Sequence, residues 1–435
     1  MNRKAIVAAL LALAGSVPLS SAWAQDPLRQ IVITRDGQGG KMKLEVRDFG
    51  YIETLEAPLE GGESCEDVLA RDLTFSDFFT VKREEAHTPS PNDTLPNARR
   101  DVWAVVAGEV RREWGKVVLK AEVLQAATGT PIFRKSYPLG SPPSRAVIHA
   151  YADDILYYLT GESGVSGTRI VFVGKNEGHK DLWMVDYDGA NPRQVTRLDK
   201  IAMSPAFSPR GDKLVFTSYL NGRPDLVTLR FADGKITTLS ARSGINSAPA
   251  YAPKGDKIAA SLSFEGNAEI YLLDETGAQA QRLTLVPSIE TSPTFSPRGD
   301  RIAFTSDRSG EPHVYIMDLD GANVRRLTFS GKWCDSADWS PKGDKIVFVA
   351  LIDDVFDLCS IRPDGSGLVR ITANSGSWEN PHWAPDGMHI VAARRQGGDR
   401  RLYVMMADGS GKRALTSWKG DQYNPAWSPP LRASE

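Results

Sequence analysis

The sequence predicts a six-bladed β-propeller of four-stranded antiparallel blades, preceded by a smaller N-terminal α/β domain. Three observations lead there. The first is a period: SPTFSPRGD at 292–300 has near-copies at 204, 248 and 336, and the motif begins at Ser204, Ala248, Ser292, Ser336, Asn380 and Asn424, always 44 residues apart. The second is the content of one period. RIAFTS (301–306), HVYIMDL (313–319) and RRLT (325–328) are β-branched or short strand-like runs, and the PTF core of the motif adds a fourth. Four antiparallel strands in 44 residues is the spacing of a propeller blade, which must stack on neighbours to bury both faces. The third is composition: 41% hydrophobic and 24% charged residues describe an ordinary globular chain.

Each element of the repeat has a local reason. Ser296-Pro297-Arg298-Gly299 places Pro second and Gly fourth, as in a type I turn. Asp320-Gly321 between two strands is a hairpin signal, because Gly accepts a positive φ without a Cβ clash. That column holds Gly189, Gly277, Gly321, Gly365 and Gly409, whereas the second copy has Asp233 there and its glycine one place later at Gly234. A third column holds Thr196, Ser240, Thr284, Thr328, Thr372 and Thr416. Strand-hairpin units and Pro-rich strands both number six, but they are offset: the first unit has TGESGVSG (160–167) where its Pro-rich strand should stand. The spare copy, NPAWSPPL (424–431), is therefore expected to complete blade one and close the ring.

Ahead of the propeller (161–435) the expected domains are a secretory signal over 1–24 and an α/β domain over 25–160. Asn2-Arg3-Lys4, a short apolar run and Ala22-Trp23-Ala24 fit export with cleavage after Ala24, and no other run has the length of a membrane span. In the second region QIVITRDG, KLEVRDF, DVWAVVAGEVRRE and KVVLKAEVLQAATGTPIFRKSYPL read as strands. SCEDVLARDLTFSDFF (64–79) reads as a helix capped by Ser64, 87–97 as a loop, and SRAVIHAYADDILYYLTG as a helix ending at Gly161.

Little in the chain points to chemistry. A formal net charge of −2 lacks the basic excess of a nucleic-acid binder. No G-x-S-x-G elbow occurs, so the hydrolase domain that accompanies some related repeats has no nucleophile here. Asp186-x-Asp188-Gly189 and Asp318-x-Asp320-Gly321 lack the further acids of a calcium loop and belong to hairpin turns. Asp338 and His382 occupy equivalent inner-strand places, which makes them weak candidates for an ion in the channel. Three cysteines, Cys65, Cys334 and Cys359, are an odd number; idle thiols or a Cys334–Cys359 pair both fit. The six histidines share no catalytic spacing, and His149 reads as a packed side chain.

Strand connections alternate between the two propeller faces, so the Ser-Pro-x-Gly and Asp-Gly turns share one face. The other carries connections that differ between blades: RLDKIAM (197–203), ARSGINS (241–247), LVPSIET (285–291), FSGKWCD (329–335), ANSGSWE (373–379) and SWKGDQY (417–423). Ile201, Met203, Ile245, Ile289, Trp333, Trp378, Trp418 and Tyr423 stand in these polar stretches, and LIDDVF (351–356) adds more apolar residues in blade five. Such side chains suit the core of a protein-binding patch, or they fold inward and plug the channel mouth.

IVIT, the GEV strand, YADDILYYLTG running into TRIVFV, DLWMVDYDGANPRQVT, the repeated SPAFSPRGDKLVFTS and the terminal NPAWSPPL together resemble the TolB family of the Tol–Pal system. The resemblance implies a periplasmic protein without enzymatic activity or cofactor. It would bind the lipoprotein Pal through a propeller face and the C-terminal domain of TolA through the mature N-terminal segment. Other outer-membrane or peptidoglycan-associated partners are compatible with it. Outer-membrane integrity and envelope constriction at cell division would be its role. By position the resemblance points to Ile201, Ile245, Asn246, Glu290 and Thr291, with Trp333, Trp378 and Tyr423, for Pal. Gln25, Asp26, Leu28, Arg29 and Ile31 fall in the segment implied for TolA. The alternative is an exported propeller enzyme, or a small-molecule or metal binder, working in the central channel.

Overall fold

A computed structural model describes residues 40–51, 59, 62–83, 101–140, 144–176, 179–373 and 375–431. The signal with its cleavage site, the five residues implied for TolA, the strand at 30–37 and the loop at 87–97 lie outside the described residues.

The N-terminal α/β region is built on one mixed sheet. Its strands are β1 (Met42–Val46), β2 (Gly50–Tyr51), β3 (Phe79–Arg83), β4 (Ala104–Glu113), β5 (Lys116–Gln125) and β6 (Pro131–Pro138), in the order β3-β1-β4-β5-β6 with β2 on β4. Helices α1 (Cys65–Phe75) and α2 (Arg145–Thr160) complete the region. Ser64 caps α1 by accepting from the Asp67 N–H at 3.1 Å, with Glu66 and Asp67 complementing the helix dipole. The helix ends at Phe75, earlier than the 64–79 expected. Asp77 turns the chain at φ 67°, and the residues from Phe79 pair in parallel with β1 instead. α2 matches expectation: Ser144 is its N-cap, and Gly161 closes it in the left-handed conformation with an N–H to Tyr157 O at 2.8 Å.

Six four-stranded antiparallel sheets follow. Blade two runs Ala202–Phe207, Lys213–Ser218, Asp225–Arg230 and Ile236–Ser240, and blades three to six repeat it, opening at Asn246, Glu290, Cys334 and Ser377. Blade one consists of β7 (Arg169–Asn176), β8 (His179–Asp186) and β9 (Arg193–Gln194), with the C-terminal strand Gln422–Trp427 paired to β7. The ring closes as the offset required. Gln422 lies opposite Gly174 and Trp427 opposite Ile170, and Trp427 Nε1 donates to Thr168 Oγ1 at 2.7 Å.

The repeated columns have tertiary explanations. The first motif residue is left-handed in all six copies, from Asn424 at φ 47° to Ser336 at 53°, and a register break follows it in every inner strand. The inner strand thus starts two or three residues ahead of the motif. Column glycines sit where a hairpin meets the preceding blade: a Cβ on Gly277 would fall 1.7 Å from Leu239 O. In the second copy, where glycine is displaced, Gly234 faces open space. Thr196, Thr284, Thr328 and Thr372 accept from the N–H of Leu182, Ile270, Val314 and Leu358 at 2.9–3.0 Å, tying each outer edge to the third strand.

The α/β region meets the propeller on the face of uniform turns. Buried Asp72 binds His149 Nδ1 at 2.7 Å and the Tyr187 hydroxyl, and Asp188 binds Arg71 and Arg145 at 3.0 and 2.6 Å. Phe75 stacks on His389 at 4.3 Å. His149 is a packed partner of Asp72, as its apolar neighbours suggested. Cys65, Cys334 and Cys359 are free and buried, the last two within one hydrophobic cluster.

Candidate functional site

The opposite face is shaped by carboxylates at the start of the third strands. Asp181, Asp225, Glu269 and Asp357 stand in one column of the 44-residue period, which holds His313 in blade four and Arg401 in blade six, and these four acids are almost fully buried. Asp181 Oδ1 accepts from Thr196 Oγ1 at 2.9 Å and from Leu198 N at 3.1 Å. Glu269 Oε1 accepts from Val286 N and Arg282, both at 2.9 Å. Asp357 holds Thr372 at 2.9 Å and Arg370 at 2.7 Å. A buried carboxylate needs such donors around it, so these bonds anchor the base of the connections that follow Thr196, Thr284 and Thr372.

On these bases the apolar residues divide by blade. Connections around blades two to five expose Leu220, Ile245, Leu285, Ile289, Phe329 and Trp333, with Leu285 and Phe329 more than three-quarters exposed. Arg326 lies 5.1 Å over the Phe329 ring. Those leading to blades one, two and six fold inward. Trp418 packs on Phe172 and Trp183 at 5.4 and 5.0 Å, while Ile201 and Met203 are half-buried at the start of blade two. Apolar side chains are thus exposed on the connections of some blades and turned inward on those of others.

Several residues named from sequence move accordingly. Trp378 is fully buried and donates Nε1–H to Ser375 Oγ at 3.0 Å; it is a core residue of blade six and offers no surface to a partner. Asn246 and Glu290 are also fully buried. The physical reason is the early strand start, which turns these side chains back onto their own loops. Asn246 accepts from Ser240 Oγ and donates to Arg242 O, both at 2.7 Å. Glu290 accepts from Ser306 Oγ at 2.7 Å and Arg308 at 2.9 Å, although burial pushes its carboxyl above the ordinary range. They position the Ile245 and Ile289 loops. Thr291 and Tyr423 are half-buried, and Tyr423 lies between Lys180 and Arg400 at 5.8 and 5.5 Å. LIDDVF forms a tight hairpin with Asp353 and Asp354 at positive φ, leaving Val355 and Phe356 half-buried.

Sequence reasoning did not single out Leu285 or Phe329. The available signal was positional: each follows the Thr column directly, where other copies hold Arg197, Ala241, Ala373 and Ser417. In the channel, Asp338 Oδ2 lies 3.7 Å from His382 Nδ1 but accepts the Trp383 N–H at 2.7 Å. Among the described residues no group of three or more His, Cys, Asp or Glu side chains is placed to hold a metal ion.

Known proteins share this fold. A family model described as the TolB beta propeller domain matches residues 157–431. The Tol-Pal system protein TolB of Ruegeria sp. (strain TM1040) is 34% identical over 222 residues, 48% of this chain and 50% of the relative. Protein TolB homolog of Chlorobium chlorochromatii (strain CaD3) is 42% identical over 104 residues, 24% of each chain. The chain thus spans between about a quarter and a half of the length of these curated relatives. The crystal structure of TolB from Acinetobacter baumannii superposes with a TM-score of 0.76 at 24% identity, over 90% of this chain and 97% of that one, which bears on the fold alone.

Proposed function

Because the chain belongs to the TolB β-propeller family, we propose that it is an exported, periplasmic scaffold of the Tol–Pal system that binds proteins and carries out no catalysis. Pal would bind on the loop-bearing face and TolA along the mature N-terminal segment, in the service of outer-membrane integrity and constriction at division. The observation that carries this reading is the row of exposed apolar side chains, Ile245, Leu285, Ile289, Phe329 and Trp333, on consecutive anchored loops. Large apolar groups held out of a folded core by buried hydrogen bonds suit the centre of an interface. That face is opposite the one occupied by the α/β region, so a partner has access to it. The channel lends less support to the alternative of a propeller enzyme or metal binder, since Asp338 is engaged by backbone N–H.

The test is capture of purified Pal by the full chain. Ile245→Asp with Phe329→Asp is expected to weaken capture at least tenfold, because each truncated anchor is worth about 1–2 kcal/mol, while the melting temperature stays put. Undiminished capture by the double variant would move the site elsewhere.

A further inference from the structure

Blade two carries a charge arrangement that its sister blades lack. In each blade the first residue of the second strand faces the last residue of the third. The pairs are Arg169–Asp186 in blade one, Lys257–Asp274 in blade three and Arg301–Asp318 in blade four, opposite charges that support the ladder. Blade two sets Lys213 against Arg230, and like charges directly opposite destabilise a sheet. Lys235 follows in the hairpin, at a position that is Asn191, Gln279, Asn323, Gly367 and Gly411 in the other copies. From blade three, Lys254 closes the far side, its turn lying against blade two with Pro209 3.4 Å from where a Cβ of Gly255 would stand.

These four cations line a cleft of about 270 Å³ between blades two and three. Thr228 and Thr237 line it as well, their hydroxyls 2.7 Å apart; the place of Thr228 is Met184, Leu272, Ile316, Ser360 or Val404 in the sister blades. Two carboxylates reach the cleft. Asp212 accepts from Ser208 Oγ at 2.7 Å and pairs with Arg210, while Glu275 stands beside blade three. Arg230 is also bound by Asp233. Lys213, Lys235 and Lys254 have no ion-pair partner among the described residues. Blade five has Lys345 and Arg362 at the corresponding places of the period, just outside a ladder that ends at Ile346–Ile361, and Gly367 and Asp386 replace the two converging lysines.

We propose that this inter-blade cleft binds a phosphate group, carried by a small phosphorylated molecule or by a phospholipid headgroup. Three ammonium groups without an ion-pair partner among the described residues and two hydroxyls around one cavity are donors for a multiply charged oxyanion, and such charge-assisted bonds are the strong ones. An anion between Lys213 and Arg230 would also relieve their repulsion. The cleft lies on the turn face, so it is independent of the Pal surface proposed above.

The experiment titrates inorganic pyrophosphate into the full chain by calorimetry, beside flotation with phosphatidylglycerol vesicles. The comparison is with Lys235→Glu/Lys254→Glu, both exposed side chains. Lost charge-assisted bonds are expected to weaken binding at least about tenfold with an unchanged melt. Arg298→Glu, at the corresponding turn one blade on, should bind like the wild type. If charge reversal disturbs the fold, Lys235→Gln/Lys254→Gln gives the same ranking with a smaller loss. Pyrophosphate binding lost in the variant without any vesicle binding assigns a small phosphorylated ligand, and vesicle binding alone lost assigns a lipid headgroup. Wild type and variant behaving alike in both assays overturns the proposal.

Discussion

Closure of the ring by the C-terminal strand makes Trp427→Ala an informative perturbation. Trp427 is 3% exposed and sits in a cluster with Val165, Ile170, Phe172, Ala384 and Val391, all buried. Its neighbours are strand residues locked in ladders, so the hole left by the indole collapses little, and removal of a buried Trp costs about 3–5 kcal/mol. The lost Nε1–H bond to Thr168 Oγ1 places the expected value near 4 kcal/mol. Lys41–Glu435 form one compact unit of nearly 400 residues. At an unfolding entropy of about 2.1 cal/mol/K per residue, the melting temperature should fall by about 5 °C. Calorimetry or circular dichroism reads this directly. Trp114, at 101% exposure on the β4–β5 hairpin, is the control, and Trp114→Ala should stay within about 0.5 kcal/mol of the parent. Truncation before Gln422 should lower the melt further, because it also uncovers Ile170 and Val171 along β7. Coincident melts for Trp427→Ala and Trp114→Ala, or a truncated chain that melts with the full one, would refute the closure argument.

Three other substitutions probe the same framework. Burial pushes the Asp153 carboxyl up to about 6, against the N–H bonds it accepts from Ser166 and Gly167. A raised acid contributes stability that is fully present below the unfolded value of about 4 and is lost as pH rises through about 6. Wild-type stability should therefore fall by about 2 kcal/mol from pH 4 to 7.5 relative to Asp153→Asn, which does not titrate; parallel pH profiles would contradict this. Gly277→Ala should cost more than about 3 kcal/mol, since its Cβ would overlap Leu239 O at φ +72°. Gly234→Ala, at φ +67° with nothing within 4 Å, should cost only about 1–2 kcal/mol; equal denaturation midpoints for the two would remove the inter-blade contact as the reason for the glycine column.

The period of 44 residues was enough to predict the blade count, the strand order within a blade and the closing role of 424–431, because every repeat must bury the same faces against the next. Local chemistry likewise predicted the Ser64 and Gly161 caps, whose signals act within a few residues. Three matters depended on the tertiary structure. The end of α1 at Phe75 was decided by pairing of Phe79–Arg83 with β1, a contact far along the chain. Whether a loop residue faces solvent or core was decided by where the inner strand begins, and that bulge turned Asn246, Glu290 and Trp378 inward while leaving Ile245 and Phe329 outside. The convergence of Lys213, Arg230, Lys235 and Lys254 required two blades to be brought side by side. A sequence repeat states which surfaces are alike; only packing determines which of the unlike residues meet, since burial and charge proximity depend on neighbours that the linear order separates.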